Sequence, residues 1–276
     1  MGWCWIIRLR NGFFHHKVSE VIAALKGCSR VWAVAAVNGD AVRLKALHEI
    51  LERQFLKGDR LVYLGNYVGG GPETLEILDE LLLARRALLA RFNLLDSDIV
   101  YLRGRQEEMW QKLLQLHLAP EPSTVLEWML PHGVEFTLRA YGGNPDQGRM
   151  WCRDGAQSLA RWTSSLRDAI RMKPGHAHFY ASLKRAAISY NQAILFVHAG
   201  VDPSRPLAAQ TDSFWWGAEG YTDILPTYEG FKRIVRGYDT ENAGASLDTY
   251  AITLDNGSGR GGCLEAICLD GEAKVV

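Results

Sequence analysis

A chain of 276 residues with 31 basic and 31 acidic side chains carries no formal net charge at neutral pH. That balance excludes a global field favouring nucleic acid, an anionic membrane or an acidic substrate, so any such binding would have to be local. A hydrophobic share of 47% beside 22% charged residues suits a globular chain long enough to bury most of its apolar surface, which argues against disorder.

The opening Met1-Gly2-Trp3-Cys4-Trp5-Ile6-Ile7-Arg8 has neither the basic leader nor the long apolar run of a secretory signal, and Ile6 stands where myristoylation wants Ser or Thr. The apolar stretch Leu81–Arg91 carries three arginines and is too short to span a bilayer, so the expected location is the cytoplasm. Cys4, Cys28, Cys152, Cys263 and Cys268 are scattered and lack a CxxC pair, which reads as reduced structural thiols rather than disulfides or a zinc knuckle.

Val18, Val21, Ile22 and Leu25 fall at helical spacing and predict a first helix. Val31–Val37 reads as a buried strand, and Asn38-Gly39-Asp40 as the turn into a helix carrying Leu44, Leu47, Ile50 and Leu51. A second unit follows: strand Arg60–Leu64, loop Gly65–Gly71, and a long helix opened by Pro72 with Leu75, Leu78 and Leu82 on one face. Strand Ile99–Leu102 then enters the loop Arg103–Gln106, with a helix beyond. Three strand-turn-helix units predict an α/β core whose loops gather at the carboxyl ends of the strands, where ligands bind.

From about Trp110 to Ala187 the pattern is helical, with turns at Gly142-Gly143-Asn144-Pro145 and Pro174-Gly175 and no flanking linker, so a helical cap over about residues 110–190 is expected within a single domain of 1–276. Strand signals return at Ala193–Val197, Arg233–Val235, Tyr250–Leu254 and Cys263–Leu269. The last two read as an antiparallel pair joined across Asn256–Gly262.

Five loop segments occur in a telling order. They are Ala35-Ala36-Val37-Asn38-Gly39, then Gly65–Gly71, then Gly104-Arg105-Gln106-Glu107, then His198-Ala199-Gly200, then Gly237-Tyr238. In order and context they resemble the GDxHG, GDxxDRG, GNHE, HAG and GH motifs of the calcineurin-like metallophosphoesterases, most nearly the branch of bacterial serine/threonine phosphatases and diadenosine tetraphosphatases. Similarity runs from about Val31 to Gly271 and includes Phe214-Trp215-Trp216-Gly217, which resembles a family segment near the cleft. The resemblance implies a four-layer α/β/β/α sandwich of two mixed sheets with a helical cap.

Family chemistry uses two divalent metals about 3.5–4 Å apart to activate a water. Carried over by position, the first metal's Asp and His are here Ala36 and Asn38, and the bridging Asp is Asn66. The second metal's Asn is Arg105 and one of its histidines is Tyr238, leaving His198 alone. The GNHE histidine is Gln106, and the Asp and Arg of DRG are Gly69 and Gly70. A dication about 4 Å from Arg105 at an effective dielectric of 20 would meet an opposing term on the order of 8 kcal/mol. The expectation is therefore a pseudophosphatase with no metal and no other cofactor.

Such a protein would act by binding a protein partner or a phosphorylated ligand, with nucleic acid and membranes excluded. Arg105, with His198, Tyr238 and Arg236 or Arg103, is a candidate metal-free anion pocket. Alternatively Arg105 fills the vacated volume by pairing with Glu107, Glu108 or Asp239. Two further readings are a divergent one-metal phosphohydrolase around His198 with Asn66 or a nearby acid, and a small-molecule sensor centred on Arg105. Asp40, Glu107, Glu108 and Asp239 read as solvated or helix-start acids, His15, His16, His176 and His178 as surface residues, and Gly69-Gly70-Gly71-Pro72 as a simple turn rather than an anion cradle. Trp128, Trp215 and Trp216 could face either the core or a binding groove.

Overall fold

The computed structural model describes residues 21–221, 224, 228–241, 244–247 and 250–276. The N-terminal readings up to residue 20, including Cys4, Val18 and the His15-His16 pair, lie outside them. Two mixed sheets face each other. The four-stranded sheet runs β4 (Ile99–Tyr101), β3 (Arg60–Tyr63), β2 (Arg30–Val34), β9 (Ala266–Asp270), with the first three parallel and β9 antiparallel to β2. The five-stranded sheet runs β1 (Ile22–Leu25), β5 (Ala186–Ser189), β6 (Ile194–Val197), β7 (Arg233–Arg236), β8 (Ala251–Thr253), with β5 and β6 its antiparallel pair.

Side chains alternate across each strand, which splits the apolar residues among three layers. Val31 and Ala33 point between the sheets with Val62, Val100, Phe196, Val235 and Ile252. Trp32 and Val34 point the other way, under the helices. Leu195, Val197 and Ile234 form the outer face of the five-stranded sheet, covered by Phe214, Trp215, Tyr221 and Phe231. Among the described residues that cover comes from the chain after β6, with one short helix, Ser213–Trp216, and 3-10 turns.

The other side carries α1 (Ala41–Gln54), α2 (Thr74–Phe92), α3 (Arg105–Leu114), α4 (Pro122–Met129), α5 (Val134–Ala140), α6 (Pro145–Arg153), α7 (Ala156–Arg171) and α8 (His176–Ser182). Leu126, Leu138, Leu159, Trp162 and Leu166 from the expected cap share one core with Trp32, Tyr63 and Tyr101 of the sheet. Each fully buried side chain of this kind contributes roughly 1.5–3 kcal/mol, so the helices are held on the sheet along their length. Asp40 caps α1 by accepting from the Arg43 N–H at 2.9 Å. The long helix begins at Thr74, after the predicted Pro72. Glu73 turns away from its own helix and accepts from the Ala41 N–H of α1 at 3.1 Å.

Three expectations are corrected. Ile22–Leu25 is a strand rather than part of a helix, because its backbone pairs in parallel with Ala186–Ser189. That second strand lies inside the range read as a cap, whose helices end at Ser182. The last two strands form no hairpin: β8 joins β7 in one sheet and β9 joins β2 in the other, so Asn256–Gly262 crosses the end of the sandwich. No described helix is long and apolar enough to cross a membrane.

Candidate functional site

The loops that follow β2, β3, β4, β6 and β7 meet at one end of the sandwich, and the backbone stitches them together. Ala36 N–H donates to Gly237 O at 3.0 Å, Gly237 N–H to His198 O at 3.0 Å, and Asn38 N–H to Asn66 O at 2.8 Å. Asn38 and Asn66 both adopt left-handed backbone, with φ of 51° and 53°, a conformation asparagine tolerates better than most residues. The Asn66 amide donates to Asn38 Oδ1 at 3.0 Å, and Asn66 Oδ1 accepts the Gln106 N–H at 3.1 Å. Sequence-distant positions Asn38, Asn66 and Gln106 are thereby brought together.

His198 is fully buried and donates from Nδ1 to the Leu64 carbonyl at 2.5 Å. Its ring lies parallel to Tyr238, with centroids 5.3 Å apart and 5° between planes. The Arg105 guanidinium sits over the other partner's ring, 4.9 Å from the Tyr238 centroid. Burial pushes the His198 pKa down to about 3, the Arg105 charge pushes the same way, and the Leu64 carbonyl opposes both. The imidazole is neutral at physiological pH, and its Nε2 lone pair has no partner among the described residues.

The acids offered as partners for Arg105 are engaged elsewhere. Glu108 pairs with Arg103 at 3.2 Å and Lys112 at 3.7 Å, and Asp239 with Arg236 at 3.1 Å. Glu107 is neither solvated nor paired with a cation. Its carboxylate accepts backbone N–H bonds from Tyr67 (2.7 Å), Gly104 (2.8 Å), Asn66 (3.0 Å) and Val68 (3.1 Å). Burial raises its pKa, with those four donors opposing. One signal in the sequence pointed here: a Glu three residues after the helix-initiating Gly104 reaches back to that residue's N–H. With the acids committed, Arg105 Nε is buried without a partner.

Two candidate arginines lie apart. Arg236 points to the outer face of its sheet, donates to Thr253 Oγ1 at 2.8 Å and lies 4.3 Å from the Tyr221 centroid, while Arg103 is held by Glu108. Gly69, Gly70 and Gly71 form a packed turn. A Cβ on Gly70 would stand 2.1 Å from the Asn38 carbonyl carbon, and one on Gly69 2.1 Å from Gln106 Oε1. The Asn256–Gly262 loop closes over Asn38, where a Cβ on Gly259 would meet the Asn38 carbonyl oxygen at 1.9 Å, and Ser258 Oγ donates to Val37 O at 2.9 Å.

Of the histidines read as surface, His178 is exposed but His176 is buried, held by Tyr141 OH at 2.7 Å and Asp79 at 3.1 Å. A cavity of about 370 Å³ opens on a different face of α3, lined by Glu107, Trp110, Gln111 and Leu114 with Arg167, Ile170 and Tyr180.

Among solved structures, the chain is similar to a protein described as a diadenosine tetraphosphatase, at 18% identity and a TM-score of 0.53, over 93% of this chain and 96% of that one. It is also similar to a protein serine/threonine phosphatase from Saccharomyces cerevisiae, at 14% identity and a TM-score of 0.50, over 96% of this chain and 81% of that one. The fold is metallophosphoesterase-like. No family model and no curated protein matches the sequence.

A metallophosphoesterase-like centre would hold two metals at this loop cluster, and the side chains present there make a different set of donors. Ala36, Ala199 and Tyr238 form a small apolar cluster there. Around it stand neutral amides, one imidazole and a permanent cation, whereas hard dications want anionic oxygen. Among the described residues no group of three or more His, Cys, Asp or Glu side chains could hold a metal ion. The residues do not fit a dinuclear centre.

Proposed function

We propose that this phosphatase-fold chain binds a phosphate-bearing ligand without metal-dependent hydrolysis and that its role is regulatory. The observation that carries this reading is the Arg105 guanidinium, laid on Tyr238 with its Nε buried and unpartnered at a position where the family places a metal ligand. A guanidinium supplies permanent charge and forked donors, which suit a tetrahedral oxyanion. Manganese titrated into chelator-stripped protein, with elemental analysis beside it, tests the first half. The reading requires fewer than about 0.1 metals per chain and no binding heat, and stoichiometric metal would overturn it. Phosphate binding by wild type and by Arg105→Ala tests the second half, with loss of binding in a folded variant expected.

A protein partner at the cleft rim is a second reading, favoured by one cluster. Trp128 is 47% exposed, stacks on His132 at 4.5 Å and leans on the half-buried Trp216 at 5.9 Å, whereas Trp215 is core at 4%. The His132 carbonyl accepts from Gln106 Nε2 at 2.8 Å, so this aromatic rim adjoins the site. Trp128→Ala should then weaken an isolated complex without lowering the melting temperature.

A further inference from the structure

The cavity of about 370 Å³ is bounded by α3, α7 and α8, and none of Asn38, Asn66, Arg105, His198 or Tyr238 lines it. Its apolar wall is the edge of the core. Trp110 and Ile170 are buried there, and Leu114, Tyr180 and Leu183 are half-buried against the same cluster. Ala177 and Ala181, exposed and one turn apart on α8, bring too little side chain to fill the space between the helices. The volume falls in the range of small-molecule sites, about 300–1,000 Å³, which are walled by apolar and aromatic side chains with a few polar groups to fix orientation.

Charge in the lining is unbalanced. Arg103, Arg167 and Arg171 reach it, and Glu107 is its one acid. Arg103 pairs with Glu108 at 3.2 Å and Arg171 with Asp168 at 2.8 Å. Arg167 donates to the Leu114 carbonyl oxygen and meets no carboxylate among the described residues. Glu107 does not serve it, because that carboxylate is taken up by the N–H groups of Asn66, Tyr67, Val68 and Gly104. A guanidinium has five N–H donors in a planar fork, and one carbonyl oxygen leaves most of them for a carboxylate. The Glu107 charge in the same lining favours a ligand with a single negative charge over a dianion.

We propose that the cavity between α3, α7 and α8 is a second binding site, separate from the loop cluster, that takes a small aromatic monocarboxylate. The ring system packs on Trp110, Ile170 and Tyr180, and the carboxylate accepts from Arg167. An uncharged ligand of the same shape fills the apolar wall but leaves the guanidinium without its anion.

The test is calorimetric titration of the full chain with 2-naphthoate and with its neutral isostere 2-naphthamide. At pH 7.5 wild type should bind the acid with a Kd of about 1 mM or tighter and the amide at least about tenfold more weakly. Arg167→Met, which keeps the apolar stem, should cost the acid about tenfold in affinity and leave the amide unchanged. Ala181→Trp fills the cavity from an exposed position and should abolish binding of both, with Ala177→Trp in its place if that variant does not fold. Arg105→Ala should bind 2-naphthoate as wild type does. The proposal is overturned by no binding of 2-naphthoate at millimolar concentration, by equal affinity for acid and amide, or by unchanged affinity in Arg167→Met. Binding that Ala181→Trp retains, or that Arg105→Ala loses, places the ligand elsewhere and overturns it too. Each of these results leaves the phosphate reading of Arg105 standing.

Discussion

Lowering the pH from 7.5 to 5 should destabilise the protein through one side chain in particular. Burial, helped by the Arg105 charge and opposed by the Leu64 carbonyl, takes the His198 pKa from 6.5 to about 3. The unfolded chain takes up a proton at this position once the pH falls below about 6.5, and the folded chain does not until about 3, so stability is lost as pH falls through that interval. With those two values, the loss between pH 7.5 and 5 is about 2 kcal/mol, since each pKa unit is worth about 1.4 kcal/mol and little has been lost at the upper end. Other titrating groups add their own slopes, so the assay is a difference. Urea unfolding of wild type and His198→Gln at both pH values should show a pH dependence smaller by about 2 kcal/mol in the variant. Imidazole nitrogen shifts in labelled protein should show His198 neutral and Nδ1-protonated at pH 5. A resonance titrating near 6.5, or equal pH slopes in the two proteins, would refute the burial argument.

Two substitutions probe the loops around the site. Glu107→Gln exchanges one acceptor oxygen for a donor group facing backbone N–H groups, leaving two of the four hydrogens bonded to Glu107 unsatisfied. At about 1–3 kcal/mol for each, unfolding free energy should fall by about 2–6 kcal/mol, and a urea midpoint equal to wild type would show that the clamp contributes nothing. Gly70→Ala sets a methyl 2.1 Å from the Asn38 carbonyl carbon. Overpacking of backbone on backbone should cost about 1–3 kcal/mol, read as a lower melting temperature, and an unchanged value would mean the two loops part easily.

Local periodicity was enough to read the three strand-turn-helix units and the helical run to Ser182, because each buries a face whose spacing is written within a few residues. β1 and β5 were not legible. Their sequences, IAAL and AAIS, are short and alanine-rich, with little strand preference of their own; β1 is a strand because β5 lies beside it, and β5 because it is held between β1 and β6. The glycine-rich linker after β8 suggested a hairpin, but pairing partners are a tertiary matter, and β2 outcompeted β8 for β9. At the site, motif order located Asn38, Asn66, Arg105, His198 and Tyr238. It did not reveal how charges would be shared. Glu107 looked like a partner for Arg105, yet backbone N–H groups surround it. Glu73 accepts from the first turn of a helix other than the one it precedes, a contact that local spacing does not announce. His176 looked exposed because only the fold supplies Tyr141 and Asp79.

The pairing of β2 with β9 has a consequence for how the chain is made. Val34 of β2 is matched with Ala266 of β9, far later in the chain, and the parallel sheet of β2, β3 and β4 keeps that edge open until β9 is made. Strand edges of this kind recruit other chains, and contacts so distant in sequence form slowly. The four-stranded sheet therefore closes only after β9 is synthesised, and until then the nascent chain depends on its helices, or on a chaperone, to keep that edge from a neighbour.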